Sequence, residues 1–276
     1  MSQFIADDGE TIHLKISGDG PPMVMLHGWT SDHREWFPFL HGLEIHHRIY
    51  RWDARAHGGH NLRSKSPPTV QRMARDLANL IEHYALTDIV VVAHSMGALT
   101  LWQYLRDYGS THLSKACFID QSPRLLTDSE WSHGIYGDFD QARSAQFIAR
   151  LQEDFPEAVL ELIAFGLNEQ ARQKYLQNTV GWQKSRNALA AMEPTPLITC
   201  WKSLVDEDYR DVLPMIDIPT LLIYGERSNF YRQETAHYVA RQIPKATLHI
   251  YENTDHSPHM WQRERFVHDL LHFILP

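Results

Sequence analysis

Two side chains of this 276-residue chain have the type and context for nucleophilic chemistry on a carbonyl. Ser95 lies in Ala93-His94-Ser95-Met96-Gly97, directly after the apolar run Ile89-Val90-Val91-Val92 and before the helix-forming Ala98-Leu99-Thr100-Leu101-Trp102. A β-branched run that breaks at a small-x-Ser-x-Gly turn and passes into a helix is the context of a nucleophile elbow, where a tight turn lifts the hydroxyl above the end of a sheet. The residues two positions either side of the serine would meet the neighbouring strand and helix, so both must be small; Ala93 stands where glycine is usual. Taken alone, the pentapeptide also fits an ordinary serine at a strand-to-helix turn. His256 supplies the second half. It sits in Asn253-Thr254-Asp255-His256-Ser257-Pro258-His259, directly after the last apolar strand Ala246–Tyr251, where an imidazole can act as general base toward the serine.

The elements that must position these groups alternate between strand and helix. Thr11–Ser17 alternates Ile12, Leu14 and Ile16 with polar residues and predicts an antiparallel edge strand, followed by a Gly/Pro turn and the buried strand Met23–His27. After that strand, His27-Gly28-Trp29 can offer the Trp29 N–H to an oxyanion, with the Met96 N–H as the second donor; alone, it is a plain strand-ending turn. Asp32 is placed to cap a helix with Trp36, Phe37, Leu40 and Leu43 on its apolar side. Arg48–Asp53 predicts a strand, Ala54–His60 a loop that is structural punctuation, and Thr69–Tyr84 an amphipathic helix leading to the nucleophile strand. Lys115–Asp120 is a further strand with an acid at its carboxyl end. This repetition means an α/β protein with a mostly parallel sheet, helices on both faces and ligands at the strands' carboxyl ends, the edge shared by Ser95 and Asp120.

Between residues 123 and 212 the alternation stops. Long amphipathic stretches with scattered aromatics predict a helical cap inserted in a core made of 1–122 and 213–276, because the sheet pattern resumes at Ile218–Gly225. His27, Trp131, Trp182 and Trp201 are candidates to line a substrate pocket; packing between cap and core is the other role open to the tryptophans.

Composition narrows the partners. A net charge of −8 argues against nucleic acid and anionic membrane surfaces, which need clustered Lys and Arg. The first ten residues carry three acids and no basic or apolar leader pattern, and no stretch has eighteen consecutive apolar residues, so a cytoplasmic location is expected. Cys117 and Cys200 suit buried free thiols, and the 18 histidines form no metal-binding spacing, so no metal or other cofactor is expected. The expected partner is a small-molecule substrate, and the expected state a monomer or homodimer.

His27-Gly28-Trp29, Asp53-x-Arg55-x-His57-Gly58, the elbow at Ser95 and Asp255-His256-Ser257-Pro258, in that order, make the chain resemble the α/β-hydrolase fold along almost its whole length. The resemblance implies a triad in the order serine, acid, histidine. Most members carry an aspartate three residues after the glycine that ends the strand at 220–225, but Gly225-Glu226-Arg227-Ser228 places a serine there. Some members take the acid from the end of the preceding strand, which makes Asp120 the first candidate and Glu226 the alternative. The implied activity is hydrolysis of a small or medium, partly apolar ester or thioester through an acyl-enzyme. The chain also resembles cofactor-free dioxygenases that cleave 3-hydroxy-4-quinolone rings, through Gly28-Trp29-x-x-Asp32-His33-Arg34 and the acid at Asp120; Met96 stands where those enzymes tend to have histidine. A non-catalytic binding protein on the same fold is the third possibility.

Overall fold

The computed structural model describes residues 2–275. Its strands are β1 (Ser2–Ile5), β2 (Thr11–Ser17), β3 (Pro22–Leu26), β4 (Arg48–Asp53), β5 (Ile89–His94), β6 (Leu113–Ile119), β7 (Thr220–Gly225) and β8 (Ala246–Tyr251). The helices are α1 (Leu40–Leu43), α2 (Val70–His83), α3 (Met96–Tyr108), α4 (Gln141–Glu153), α5 (Phe155–Ala164), α6 (Glu169–Leu176), α7 (Val180–Ala190), α8 (Pro194–Val205), α9 (Gln233–Gln242), α10 (Pro258–Trp261) and α11 (Arg263–Ile274). The strands form one sheet in the order β1-β2-β4-β3-β5-β6-β7-β8. The two pairings made by β2 are antiparallel and the rest are parallel.

The apolar runs explain the layering. Successive side chains of a strand point to opposite faces, so a continuous β-branched run is buried on both. In β3, β5 and β6, Val24, Leu26, Val91, Ala93, Ala116 and Phe118 face the layer built by α2, α3 and the 123–212 segment. Met23, Met25, Val90, Val92, Cys117 and Ile119 face Trp36, Phe39 and the α11 residues Phe266 and Leu270. The 123–212 segment contains α4 to α8, and its Leu160, Leu197, Trp201 and Leu204 belong to the same buried cluster as Met96 and Leu99 at the foot of α3. Among the described residues no helix is long and apolar enough to cross a membrane.

Three local expectations need correction. β2 is not an edge strand, because β1 pairs outside it from Ser2↔Leu14 to Ile5↔Thr11. With Phe4 the one buried side chain of its four residues, β1 leaves almost no hydrophobic pattern to read. The segment capped by Asp32 is a 3₁₀ helix, His33–Phe39, containing Pro38. Its tighter winding turns Phe37 outward, 70% exposed, rather than onto the apolar side with Trp36. The loop after β4 does more than punctuate. Arg55, its side chain fully buried, donates to both oxygens of buried Asp76 on α2 at 2.6 and 2.7 Å and to Asp8 at 3.0 Å. This pair fastens the carboxyl end of β4 to α2 and to the β1–β2 turn.

Removing one member of a buried ion pair strands the other charge. Asp76→Ala is therefore expected to lower unfolding stability by about 3–5 kcal/mol, read as a fall in the urea midpoint.

Candidate active site

Three parallel strands end level with one another, and the site sits on their carboxyl ends. Ser95 N–H donates to the Ile119 carbonyl at 3.2 Å, and Asp120 N–H to the Ile223 carbonyl at 2.8 Å. These bonds continue the β5–β6 and β6–β7 ladders by one residue and set Ser95, Asp120 and the Gly225 turn side by side.

Ser95 adopts φ 52° and ψ −117°, a conformation that L side chains rarely hold and that persists only where the surroundings enforce it. Part of the enforcement is the close passage of α3 over β3. A Cβ at Gly97 would lie 2.4 Å from the Leu26 carbonyl oxygen, so glycine is required there. Met96 N–H is the first of the helix's unpaired amides, and like Trp29 N–H it has no hydrogen-bond partner among the described residues. Both residues line the same cavity as Ser95 and His256.

The two carboxylates named from the sequence lie in different places. Asp120 is fully buried, its backbone at φ 46°. Its Oδ2 accepts from His256 Nδ1 at 2.7 Å and from Ser228 Oγ at 2.6 Å, and its Oδ1 accepts from Gly225 N–H at 3.0 Å. Glu226 instead accepts from Asn253 N–H at 2.8 Å on the outer side of the turn. Ser228, which occupies the position where an acid was expected, is thus a donor to the acid on the neighbouring strand.

The His256 ring is held edge-on to Phe230 at 4.5 Å between centroids, and its backbone N–H donates to Asn229 Oδ1 at 3.2 Å. Burial lowers its pKa below 6.5; the Asp120 bond opposes this, and the nearby His94 charge adds to it. The ring is therefore neutral at pH 7, with Nδ1–H directed at Asp120 and Nε2 left as a proton acceptor on the cavity side.

The cavity above Ser95 measures about 380 Å³ and is lined mainly by apolar side chains, among them Leu99, Leu125, Ile135, Val159, Leu162 and Trp201. Of the four pocket candidates, Trp201 lines this cavity. Its ring lies 4.8 Å from that of Trp29, whose Nε1 donates to the Leu197 carbonyl at 3.0 Å and ties the loop after β3 to α8. The other three pocket candidates do not line this cavity. His27 is buried beneath it, its Nδ1 bonded to the Gly28 carbonyl at 2.8 Å and its Nε2 accepting from Ala54 N–H at 3.0 Å. Trp131 is engaged elsewhere by Tyr238, by the Arg210 guanidinium and by the Arg124 carbonyl. Trp182 borders a second cavity of about 630 Å³ with Lys174, Arg227 and Trp261. The two cavities share Thr30, Val159, Ile163, Asn229 and Asp255.

Sequence reasoning assigned nothing to Glu35, His94 or His259, which cluster behind Ser95. Their ligand types, like those of Asp32, His33 and Asp53, are compatible with a metal, and the donor atoms in each group lie within 4.8 Å of one another. In each group a 2.7 Å hydrogen bond joins one carboxylate directly to one imidazole, His33 to Asp53 and His94 to Glu35, while both ring nitrogens of buried His259 have no hydrogen-bond partner among the described residues. A glutamate at the start of a predicted helix directly before a tryptophan carried no signal of this role.

Against known proteins, a model described as alpha/beta hydrolase fold matches residues 21–262, and the chain belongs to that family. It is similar to the pimeloyl-[acyl-carrier protein] methyl ester esterase of Vibrio vulnificus, 28% identical over 267 residues that cover 95% of this chain and 97% of that one. It is also similar to the non-heme chloroperoxidase CPO-A1 of Kitasatospora aureofaciens, 26% identical with 97% of each chain covered. Among solved structures, an esterase from Exiguobacterium antarcticum superposes with a TM-score of 0.85 at 23% identity, covering 100% of this chain and 99% of the other.

Asp120→Ala leaves three buried donors without their acceptor and is expected to destabilise the fold by at least about 2 kcal/mol, whereas Glu226→Ala should stay within about 0.5 kcal/mol. Denaturant titration of both variants reads the contrast directly.

Proposed function

We propose that the protein is a serine hydrolase that cleaves a small or medium, partly apolar carboxylic ester or thioester through an acyl-enzyme. The observation that carries this reading is the 2.7 Å contact between Asp120 and His256 Nδ1 beside the cavity that His256 shares with Ser95. His256 Nε2 takes the Ser95 proton as Oγ attacks the substrate carbonyl carbon, and the charge that forms on the carbonyl oxygen is held by the Trp29 and Met96 N–H groups. As the tetrahedral intermediate collapses, the bond to the leaving alcohol or thiol breaks and His256 returns the proton to it. Water, deprotonated by the same nitrogen, then attacks the acyl-enzyme, and Ser95 recovers its proton as the acid departs. Asp120 remains ionised, fixing the tautomer and stabilising the imidazolium.

The apolar lining over Ser95 suits the acyl chain, and the adjoining cavity with Lys174 and Arg227 suits a polar or anionic continuation of the substrate. A relative named pimeloyl-[acyl-carrier protein] methyl ester esterase supports an acyl ester as the substrate class.

Turnover of p-nitrophenyl esters of increasing chain length, with fluorophosphonate labelling, tests the reading. Ser95 should be the labelled residue, and Ser95→Ala should lose about 10³-fold or more in kcat/KM. Wild-type enzyme that takes no label and turns over no ester, yet consumes oxygen with a hydroxyquinolone, would replace this reading with ring cleavage. Because the base acts as neutral imidazole, kcat/KM should fall as pH drops, with a midpoint below 6.5. A midpoint above 6.5 would contradict the environment described for His256.

A further inference from the structure

We infer that Glu35 and His94 form a buried carboxylate–imidazolium pair that positions the oxyanion loop, the elbow and the His256 loop together. His94 is the last residue of β5, immediately before Ser95, and is only 6% exposed. Its Nδ1 lies 2.7 Å from Glu35 Oε1, and its Nε2 lies 3.0 Å from the carbonyl oxygen of His256. A carbonyl only accepts hydrogen bonds, and so does an ionised carboxylate; a neutral imidazole has a single N–H. With Glu35 ionised, the two bonds together require both nitrogens of His94 to be protonated.

Glu35 completes the connection. Its Oε2 accepts from Gly28 N–H at 3.1 Å, which fixes the peptide next to Trp29 N–H. One pair therefore touches the loop after β3, the residue before the nucleophile and the backbone of the base. Burial opposes charging of His94, but the Glu35 charge and hydrogen bond outweigh it and raise its pKa. The same attraction, together with the neighbouring His259, holds Glu35 well below the usual carboxylate range against its own burial. The other titratable groups around His94 do not replace this partner. His259 on α10 lies 3.3 Å from Glu35 Oε1, but burial among Trp36, Phe39 and Phe266 pushes its pKa down to about 4, so it stays neutral. The Asp120 charge is farther off and reinforces that of Glu35, while the neutral His256 ring packs 4.9 Å from the His94 ring. His94 also acts on the base through space: its positive charge helps keep His256 deprotonated. Glu35 and His94 are thus positioning residues, and Asp120 is the group that orients the base.

The charge state can be read without any substrate. In wild-type protein carrying ¹⁵N-labelled histidine, the ring assigned to His94 by its loss in His94→Gln should show two protonated nitrogens at pH 6.5, below its raised midpoint. A His94 ring with one bare nitrogen at that pH would overturn the pair. The kinetic half rests on the hydrolase reading. Glu35→Gln keeps an acceptor for Gly28 N–H but removes the charge, so it should lower kcat by about 10- to 100-fold with little change in KM. It should also move the acidic limb of kcat/KM to higher pH, since His256 loses a positive neighbour. Glu35→Asp, which retains the charge, should return the limb toward its wild-type position. A Glu35→Gln enzyme with wild-type kcat and an unmoved limb would show that the pair has no positioning role. If the protein cleaves no ester, the NMR result still decides the charge on His94.

Discussion

The structure depends on a buried carboxylate that must be satisfied. Asp120 lies at zero exposure on the end of a central strand, where an ionised group without partners would cost several kcal/mol. Its partners come from elsewhere in the chain: Gly225 from the end of β7, Ser228 from the turn after it, and His256 from the loop after β8. That condition is met only when β6, β7 and β8 lie side by side in register, so the stability of the carboxyl edge and the orientation of His256 come from one set of bonds. The positive φ of Asp120 and of Ser95 beside it belongs to the same edge, where conformations unfavourable in isolation are held by sheet and helix packing.

What could be read from the chain was what is local. The elbow at Ser95 is a strand, a turn and a helix within fourteen residues, and the apolar runs of β3, β5 and β7 carry their burial in their composition; the mostly parallel sheet was legible in that alternation, and the α/β-hydrolase fold in the resemblance carried by the ordered motifs. The partner of His256 could not be read in this way, because it depends on which strand lies beside which. A serine in place of an acid at 228 is explained only by the sheet order. With Asp120 opposite, a second carboxylate would set two negative charges against one imidazole, while a hydroxyl donates to Oδ2 and accepts from Phe230 and Tyr231 N–H at 3.2 Å. Glu35 was invisible for a related reason. In a 3₁₀ helix the turn is tighter than the 3.6-residue pattern assumes, so Phe37 faces out and Glu35 faces the site.

The aromatic side chains show the same limit. Trp131, Trp182 and Trp201 are alike in sequence, but one anchors a loop to α9, one lines the outer cavity and one meets Trp29 over the nucleophile. Their types were informative about burial, not about which surface they would share. Trp29 itself joins the two layers: its backbone N–H borders the cavity while its indole holds α8, so the loop after β3 is fixed from above by the 123–212 segment and from behind by Glu35.

The proposed hydrolysis requires Asp120, not Glu226, to make His256 a base toward Ser95. The rate of covalent labelling of Ser95 by a fluorophosphonate, compared between Asp120→Asn and Glu226→Gln, tests it most directly. An amide at 120 favours the wrong imidazole tautomer, so labelling should slow by about 10⁴-fold, while Glu226→Gln should label at the wild-type rate. Equal rates for the two variants, or a loss confined to Glu226→Gln, would contradict that role for Asp120.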